Sequence, residues 1–178
     1  MNKIFPLIWK YKTYILVLTA LVWFYFCLPN PLFKKPYSTV VYDEQGKLLG
    51  AKIAKDGQWR FPVPDSVPNK FEKCILYFED EYFYYHPGTN PVSIAKALIS
   101  NIQKKKITRG GSTITMQVIR LALDNPKRTY WQKIKELIYA LRLEFKYSKK
   151  EILKLYSANA PFGGNVVGIE AASWRYFG

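Results

Sequence analysis

The segment at residues 79–88 constrains the fold most, because it concentrates charge, aromatic bulk and turn formers in ten positions. It contains three carboxylates, four aromatic residues, the only histidine of the chain and a Pro-Gly pair. A carboxylate beside aromatic bulk can be partly desolvated, which suits acid or base chemistry. A solvated acidic loop closed by a turn has the same composition, since runs of charge usually lie at the surface. The rest of the chain decides between these two interpretations.

The charge balance narrows the class of partner. The chain carries 27 Lys and Arg against 13 Asp and Glu, a formal net charge of +14. Such an excess indicates a nucleic acid, an anionic bilayer surface or a phosphate-bearing substrate. Aromatic residues make up 17% of the chain, which favours a membrane or a large apolar ligand. Because no nucleic-acid-binding motif is visible, we expect no nucleic-acid partner. With one histidine, the composition also excludes a metal site built from His and Cys clusters.

An apolar run at residues 13–28 follows a lysine-bearing start. With the adjoining Lys12 snorkelling to the interface, the run approaches the ~17–25 residues that cross a bilayer as a helix. More positive charge precedes the run than follows it, which indicates a cytoplasmic N-terminus. We therefore expect a cytoplasmic segment at 1–12, a single transmembrane anchor at 13–28 and an external body. A buried core helix is the alternative.

The remaining chain divides at about residue 65. Residues 29–65 predict a linker and a small β element, with a strand from Ser38, a turn at Gly46 and a return strand ending at Ile53. From Ser66 to the end the apolar periodicity is helical, so residues 66–178 predict a mainly α domain. Its last helix is expected from Val166 to Phe177. The pattern stops without a cap, so we expect the domain to be incomplete at its C-terminus.

The helical periodicity also predicts which side chains face the core. One helix should end at Glu79, a second should begin near Pro91, and a long third should start before Trp131. The predicted inward residues are, in chain order, Phe71, Cys74, Ile75, Phe78, Ile94, Ala95, Leu98, Ile102, Trp131, Ile134, Ile138, Leu141 and Phe145.

A glycine pair at residues 110–113 runs into a Ser/Thr helix start, which is the commonest kind of anion cradle. An ordinary loop that leads into a helix has the same pattern. Arg109, Arg120, Arg128 and Lys133 bracket this segment at spacings that could converge on one diphosphate. Each of them could equally belong to a solvated basic face.

Glu136 lies on the long predicted helix, away from its apolar face. It could form a surface ion pair with Lys133, three residues earlier. It could also be a second active-site carboxylate opposite Glu79. Two carboxylates in unlike environments are what acid–base work at a sugar centre requires.

Four motifs in order carry a resemblance to a known family. They are Glu79-Asp80-x-x-Phe83-x-x-His86-x-Gly88, Gly110-Gly111-Ser112-Thr113-Ile114-x-x-Gln117, Arg128-x-x-x-x-Lys133-x-x-Glu136 and Ser148-Lys149-x-x-Ile152-Leu153-x-x-Tyr156. Together they resemble the peptidoglycan glycosyltransferase domain (glycosyltransferase family 51) of class A penicillin-binding proteins. The resemblance covers roughly residues 38–178, and the segments at 160–164 and 171–174 are most similar to the 1C branch.

This resemblance implies a lysozyme-like fold that polymerises lipid II at the outer face of the bacterial cytoplasmic membrane. Glu79 would be the general base for the acceptor GlcNAc 4-hydroxyl, which attacks the anomeric carbon of the donor MurNAc. The α-linked lipid diphosphate leaves, and a β-1,4 bond forms with inversion. Glu136 would assist the leaving diphosphate, directly or through Mg²⁺ or Mn²⁺. The implied partners are lipid II, the growing glycan strand, the membrane and other cell-wall synthesis proteins.

The resemblance also assigns substrate contacts. Diphosphate charge that builds in the transition state would be neutralised by Arg120, Arg128 and Lys133. The donor site would be lined by Ser112, Thr113 and Gln117. Further residues expected at the substrate are Asp80, Phe83, His86, Gly88, Arg109 and Gly111.

Three positions depart from the family pattern. Arg120 stands where the family more often has Lys, and Gln132 replaces an Arg. Ala158 replaces the usual Asn, with Asn159 one position further on. These changes bear on affinity for the donor more than on the chemistry. A transpeptidase domain normally follows in this family, so a bifunctional protein is expected.

Two other functions are compatible with the sequence. A membrane-anchored lysozyme-like hydrolase would need a carboxylic acid that protonates a glycosidic oxygen, but no diphosphate cradle. A non-catalytic membrane-tethered scaffold would use its basic face to bind anionic lipid. The set of cations around residues 110–113 favours the transferase.

Overall fold

The computed structural model describes residues 4–106, 110–124 and 129–178. This described part is mainly helical, as predicted, and contains two small sheets where one small β element was expected. The helices are α1 (Ile4–Phe26), α2 (Asn69–Glu79), α3 (Pro91–Gln103), α4 (Ile114–Ala122), α5 (Tyr130–Lys146), α6 (Lys149–Asn159) and α7 (Ile169–Phe177), with a short 3₁₀ helix at Phe83–Tyr85 between α2 and α3.

The predicted membrane anchor is not supported. Helix α1 covers most of residues 13–28, but within the described residues no helix combines the length and the apolar character that crossing a bilayer requires.

The predicted hairpin is confirmed. Strand β1 (Thr39–Tyr42) pairs antiparallel with β2 (Leu48–Lys52). The Asp43 carboxylate accepts hydrogen bonds from the backbone N–H groups of Gln45 and Lys47, which closes the turn between the strands.

A second pair of strands differs from the prediction. Strand β3 (Trp59–Arg60) runs parallel to β4 (Val166–Val167), so the predicted helix from Val166 begins only at Ile169. Between them Gly168 has φ +87°, and a Cβ there would lie 2.6 Å from the carbonyl oxygen of Ala158. Only glycine fits this close approach to α6, and the turn at Gly168 separates the strand from the helix.

Side-chain caps mark three of the helix starts. Thr113 accepts a hydrogen bond from the Met116 N–H at the start of α4, within the predicted Ser/Thr helix start. Ser148 and Glu151 form a capping box at the start of α6. Asn90 caps α3, whose first residue is Pro91. These side chains satisfy backbone donors that the first turn of a helix leaves open, so the local sequence sets the helix starts.

Helix α4 is the centre of the larger core, where it packs against α5 and α6. Its residues Ile114, Met116, Val118 and Ile119 are fully buried. A smaller cluster around Phe61 joins β3 and β4 to α7.

Several predicted inward faces are wrong. On α2, Phe71 and Ile75 pack on the core, but Cys74 and Phe78 are exposed. Ala95 and Ile102 of α3 are exposed, and so are Trp131, Ile134 and Phe145 of α5. The inward residues of α5 are instead Glu136, Ala140 and Leu143. The α5 difference has a specific cause, since Glu136 forms an ion pair with α4 and therefore turns its own face of the helix inward.

Candidate active site

The position of Glu79 is set by the end of α2, where it lies, and by a hydrogen bond from α4. It is the last residue of α2 and is half-buried. The Gln117 side chain donates a hydrogen bond from Nε2 to Glu79 Oε2 at 2.8 Å. Among the residues that the structure describes, no Lys or Arg side chain forms an ion pair with Glu79. The carboxylate is therefore oriented by a neutral amide.

Glu136 has a different environment, because cations surround it. It is buried, and Arg120 donates to both of its oxygens, from Nε to Oε1 at 2.7 Å and from Nη2 to Oε2 at 2.9 Å. The Lys133 ammonium lies 3.5 Å from Oε2. The hydrogen bonds to Glu136 raise the pKa of Arg120, while burial acts in the opposite direction. A bidentate pair of this kind fixes the planes of both groups.

The Ser112 hydroxyl connects the two cations. Its oxygen accepts from Arg120 Nη2 at 3.2 Å and from Lys133 Nζ at 2.5 Å. Ser112 precedes the N-terminus of α4, where the helix dipole also favours an anion. One hydroxyl, one guanidinium and one ammonium therefore converge at the start of α4.

One face of α4 organises both carboxylates. Gln117 and Arg120 are three residues apart and share a face of the helix. Gln117 contacts Glu79, and Arg120 contacts Glu136. The two carboxylates that the sequence singled out are thus attached one helical turn apart, one beside an amide and one beside two cations.

Asp80 and His86 form the frame next to this site. Both are buried, and His86 Nε2 lies 2.9 Å from Asp80 Oδ1 and 3.1 Å from Oδ2. Asp80 Oδ2 also accepts from the backbone N–H of Ile114 at 3.0 Å. Within the described residues, the other His86 ring nitrogen, Nδ1, has no hydrogen-bond partner. Asp80 thus ties the segment after Glu79 to the first turn of α4.

Other motif residues are also internal. Phe83 is fully buried, and Thr113 donates its hydroxyl hydrogen to the Gly88 carbonyl at 2.6 Å. Gly88 has φ +85°, and a Cβ there would lie 2.9 Å from the Ala140 carbonyl oxygen of α5. A Cβ at Gly111 would lie 2.8 Å from Ile94 Cα of α3. In this structure these four residues hold the helices together around the site.

Two predicted cations, Arg109 and Arg128, lie outside the described residues, so their contacts with the diphosphate stay predictions. Asn159, the candidate substitute for the missing family Asn, donates its side-chain N–H to the Leu155 carbonyl of its own helix at 2.9 Å. The described part of the chain contains no group of three His, Cys, Asp or Glu side chains that could hold a metal ion.

Tyr156 is a site residue that the sequence analysis did not assign. It is buried on α6, and its pKa is raised to about 12 by burial and, secondly, by the negative charge of Glu79. The motif that contains Tyr156 was visible in the sequence, but its position relative to Glu79 depends on the packing of α6.

The chain is similar in sequence to known proteins. The family model described as transglycosylase matches residues 45–178. The chain is 43% identical over 151 residues to penicillin-binding protein 1C of Escherichia coli K12, covering 84% of this chain and 20% of that protein. It is 35% identical over 167 residues to penicillin-binding protein 1A of Aquifex aeolicus, covering 91% of this chain and 23% of that protein. It thus spans only about a fifth of these relatives.

A shorter relative is also similar. The chain is 39% identical over 118 residues to a monofunctional glycosyltransferase of Staphylococcus aureus JH9, covering 66% of this chain and 44% of that protein.

Removing Arg120 should destabilise the protein, because the buried Glu136 carboxylate loses its main partner. We expect Arg120→Met to lower the free energy of unfolding at neutral pH by about 2–4 kcal/mol, because it leaves a buried charge with only part of its pairing. Adding Glu136→Gln should recover a large part of that loss. Denaturant unfolding of the two variants and the parent measures both values. Equal losses in the single and double variants would contradict the pairing.

The raised pKa of Tyr156 predicts a loss of stability at alkaline pH. In the unfolded chain its phenol ionises near pH 10, whereas its folded pKa is about 12. The folded state therefore keeps a proton that the unfolded state loses, and the contribution to stability falls between about pH 10 and pH 12. Tyr156→Phe should make the decrease in the free energy of unfolding across this range shallower. Identical slopes in parent and variant would contradict the assignment.

Proposed function

This chain belongs to the transglycosylase family, and from that premise we propose that it is a peptidoglycan glycosyltransferase that polymerises lipid II. The acceptor sugar hydroxyl attacks the anomeric carbon of the donor, lipid diphosphate leaves, and a β-1,4 bond forms with inversion. The observation that carries the proposal is the attachment of Glu79 and Glu136 to one face of α4, in unlike environments. The fold of the domain is proposed to be lysozyme-like.

Glu79 is the proposed general base. A base must hold a lone pair toward the hydroxyl that it deprotonates. The Gln117 amide occupies Oε2, which orients the carboxylate and directs Oε1 toward the acceptor. This partner is a neutral amide and not a cation.

Arg120, Lys133 and Ser112 are proposed to hold the leaving diphosphate. Negative charge grows on the bridging oxygen as the glycosidic bond breaks, and positioned cations stabilise that charge in the transition state. The guanidinium has five N–H donors, so Arg120 can keep its bidentate contact with Glu136 and still present donors to the diphosphate. Glu136 in turn fixes the guanidinium, which reduces the reorganisation needed when substrate binds.

A divalent cation, Mg²⁺ or Mn²⁺, is proposed to be held mainly by the diphosphate oxygens. Glu136 is the protein carboxylate proposed to contact it. Both Glu136 oxygens already accept hydrogen bonds from Arg120, so most of the ligands of the ion would be diphosphate oxygens. Such an ion would neutralise charge on the leaving group.

The substrates and location of the whole protein are also proposals. Lipid II carries its sugar at a membrane surface, so we propose that the reaction takes place at the outer face of the bacterial cytoplasmic membrane. The growing glycan strand is the second substrate, and other cell-wall synthesis proteins are the proposed partners. The chain spans about a fifth of the two penicillin-binding proteins that it resembles. That the whole protein also carries a transpeptidase domain is part of the same proposal.

The test compares Glu79→Gln with Glu81→Gln, a matched change at an exposed carboxylate two residues away. The measurement is glycan-chain formation from labelled lipid II in detergent with Mg²⁺ or Mn²⁺. We expect polymer from the parent and from Glu81→Gln, and at least about 100-fold less from Glu79→Gln, because a general base contributes about 10²–10⁴ to the rate.

Two outcomes would contradict the proposal. Equal polymer from both variants would exclude Glu79 as the base. Release of sugars from preformed glycan, without polymer from lipid II, would indicate the hydrolase instead.

A further inference from the structure

The motif around Lys149 has no part in the function proposed above, yet its side chain is held by two other elements, α5 and the segment at residues 80–88. Lys149 is the first residue of α6, and its side chain is 19% exposed. Its ammonium donates to the His86 carbonyl at 2.7 Å and to Glu144 Oε1 at 2.8 Å. It also lies 4.4 Å from the centre of the Phe83 ring.

Helix stability does not account for this placement. A cation in the first turn of a helix is opposed by the helix dipole, which favours anions there. Withdrawing an ammonium from water is also costly unless it is paired. The neighbouring Lys150, by contrast, is exposed to solvent. The burial of Lys149 therefore depends on what its ammonium contacts.

Glu144 extends the contact to α4. It lies on α5 with its side chain 12% exposed. Its Oε1 accepts from Thr115 Oγ1 at 2.6 Å as well as from Lys149. One ammonium and one carboxylate thus connect α4, α5 and α6 with the segment at residues 80–88.

That segment leads directly to Glu79. The carbonyl of His86 is held by Lys149, and the imidazole of His86 contacts Asp80. Asp80 is bound to the first N–H of α4 and is the residue after Glu79. The position of Glu79 relative to Gln117 on α4 is therefore set by contacts that begin at Lys149.

We propose that Lys149, paired with Glu144, is a positioning residue that fixes residues 80–88 against α4–α6 and thereby aligns Glu79. The ammonium does not touch substrate. The effect on catalysis rests on the proposed function, whereas the effect on residues 80–88 does not.

The test variant is Lys149→Met/Glu144→Gln. Methionine keeps a long apolar stem over Phe83, and glutamine keeps an acceptor for Thr115. Changing both residues avoids a buried carboxylate without its partner, so the fold should survive. Lys150→Met is the matched control on the same helix.

Two measurements are made on the parent, the test variant and the control. The first is kcat and KM for polymerisation of lipid II. We expect the kcat of the test variant to be about 10–100-fold lower than that of the parent, and its KM to stay within about twofold of the parent value. The reason is that a misplacement of a catalytic group by about 1 Å costs up to about 100-fold in rate. The second is amide hydrogen exchange. We expect faster exchange, by about 10-fold or more, at residues 80–88 but not in the interior of α4.

Each outcome decides the proposal. A kcat equal to that of Lys150→Met overturns it. Faster exchange throughout α4, α5 and α6, with a lower unfolding temperature, would mean that the pair only stabilises the fold, which also overturns it. If the parent makes no polymer, the proposed function fails, and hydrogen exchange alone decides. Unchanged exchange at residues 80–88 in the test variant then overturns the positioning role.

Discussion

The buried ion pair between Arg120 and Glu136 joins α4 to α5, and the candidate site depends on it. A carboxylate turned into a helical core is costly unless it is fully paired. Arg120 supplies two hydrogen bonds, and Lys133 adds a second cation. Because this pair fixes the rotation of α5 about its axis, it also places the two cations beside Ser112.

Other contacts hold Glu79, at the end of α2, against α4. There the contacts are a neutral amide from Gln117 and the buried Asp80–His86 pair, which caps the first turn of α4. Within the described residues, cations hold Glu136 and a neutral amide holds Glu79, so the two carboxylates can have unlike roles. The proposed sites of proton transfer, at Glu79, and of charge stabilisation, near Glu136, are attached one turn apart on a single helix, which limits their relative movement.

Local sequence predicted the features that depend on local chemistry. The caps at Thr113 and Ser148, the hairpin turn and the end of α2 at Glu79 follow from residues close together in the chain. The motifs contain both candidate carboxylates and Lys133, and the spacing of cations around residues 110–113 added Arg120. The structure attaches both carboxylates to α4, and Arg109 and Arg128 lie outside the described residues.

The predictions that were wrong concern features that depend on contacts between residues far apart in the chain. Apolar periodicity placed Trp131 and Phe145 inward, but the pairing of Glu136 with another helix overrides that pattern. The pairing of β3 with β4 joins segments about a hundred residues apart, which no local pattern indicates.

One face of α4 is proposed to bring the catalytic base and the leaving group together. The most direct measurement is a structure of the chain with an unreactive lipid II analogue and an acceptor bound. We predict that diphosphate oxygens contact Arg120 and Lys133, and that the acceptor hydroxyl lies about 2.6–3.2 Å from the Glu79 carboxylate. A diphosphate bound elsewhere, for example at the exposed lysines that follow α3, or an acceptor hydroxyl beyond reach of Glu79, would contradict the account.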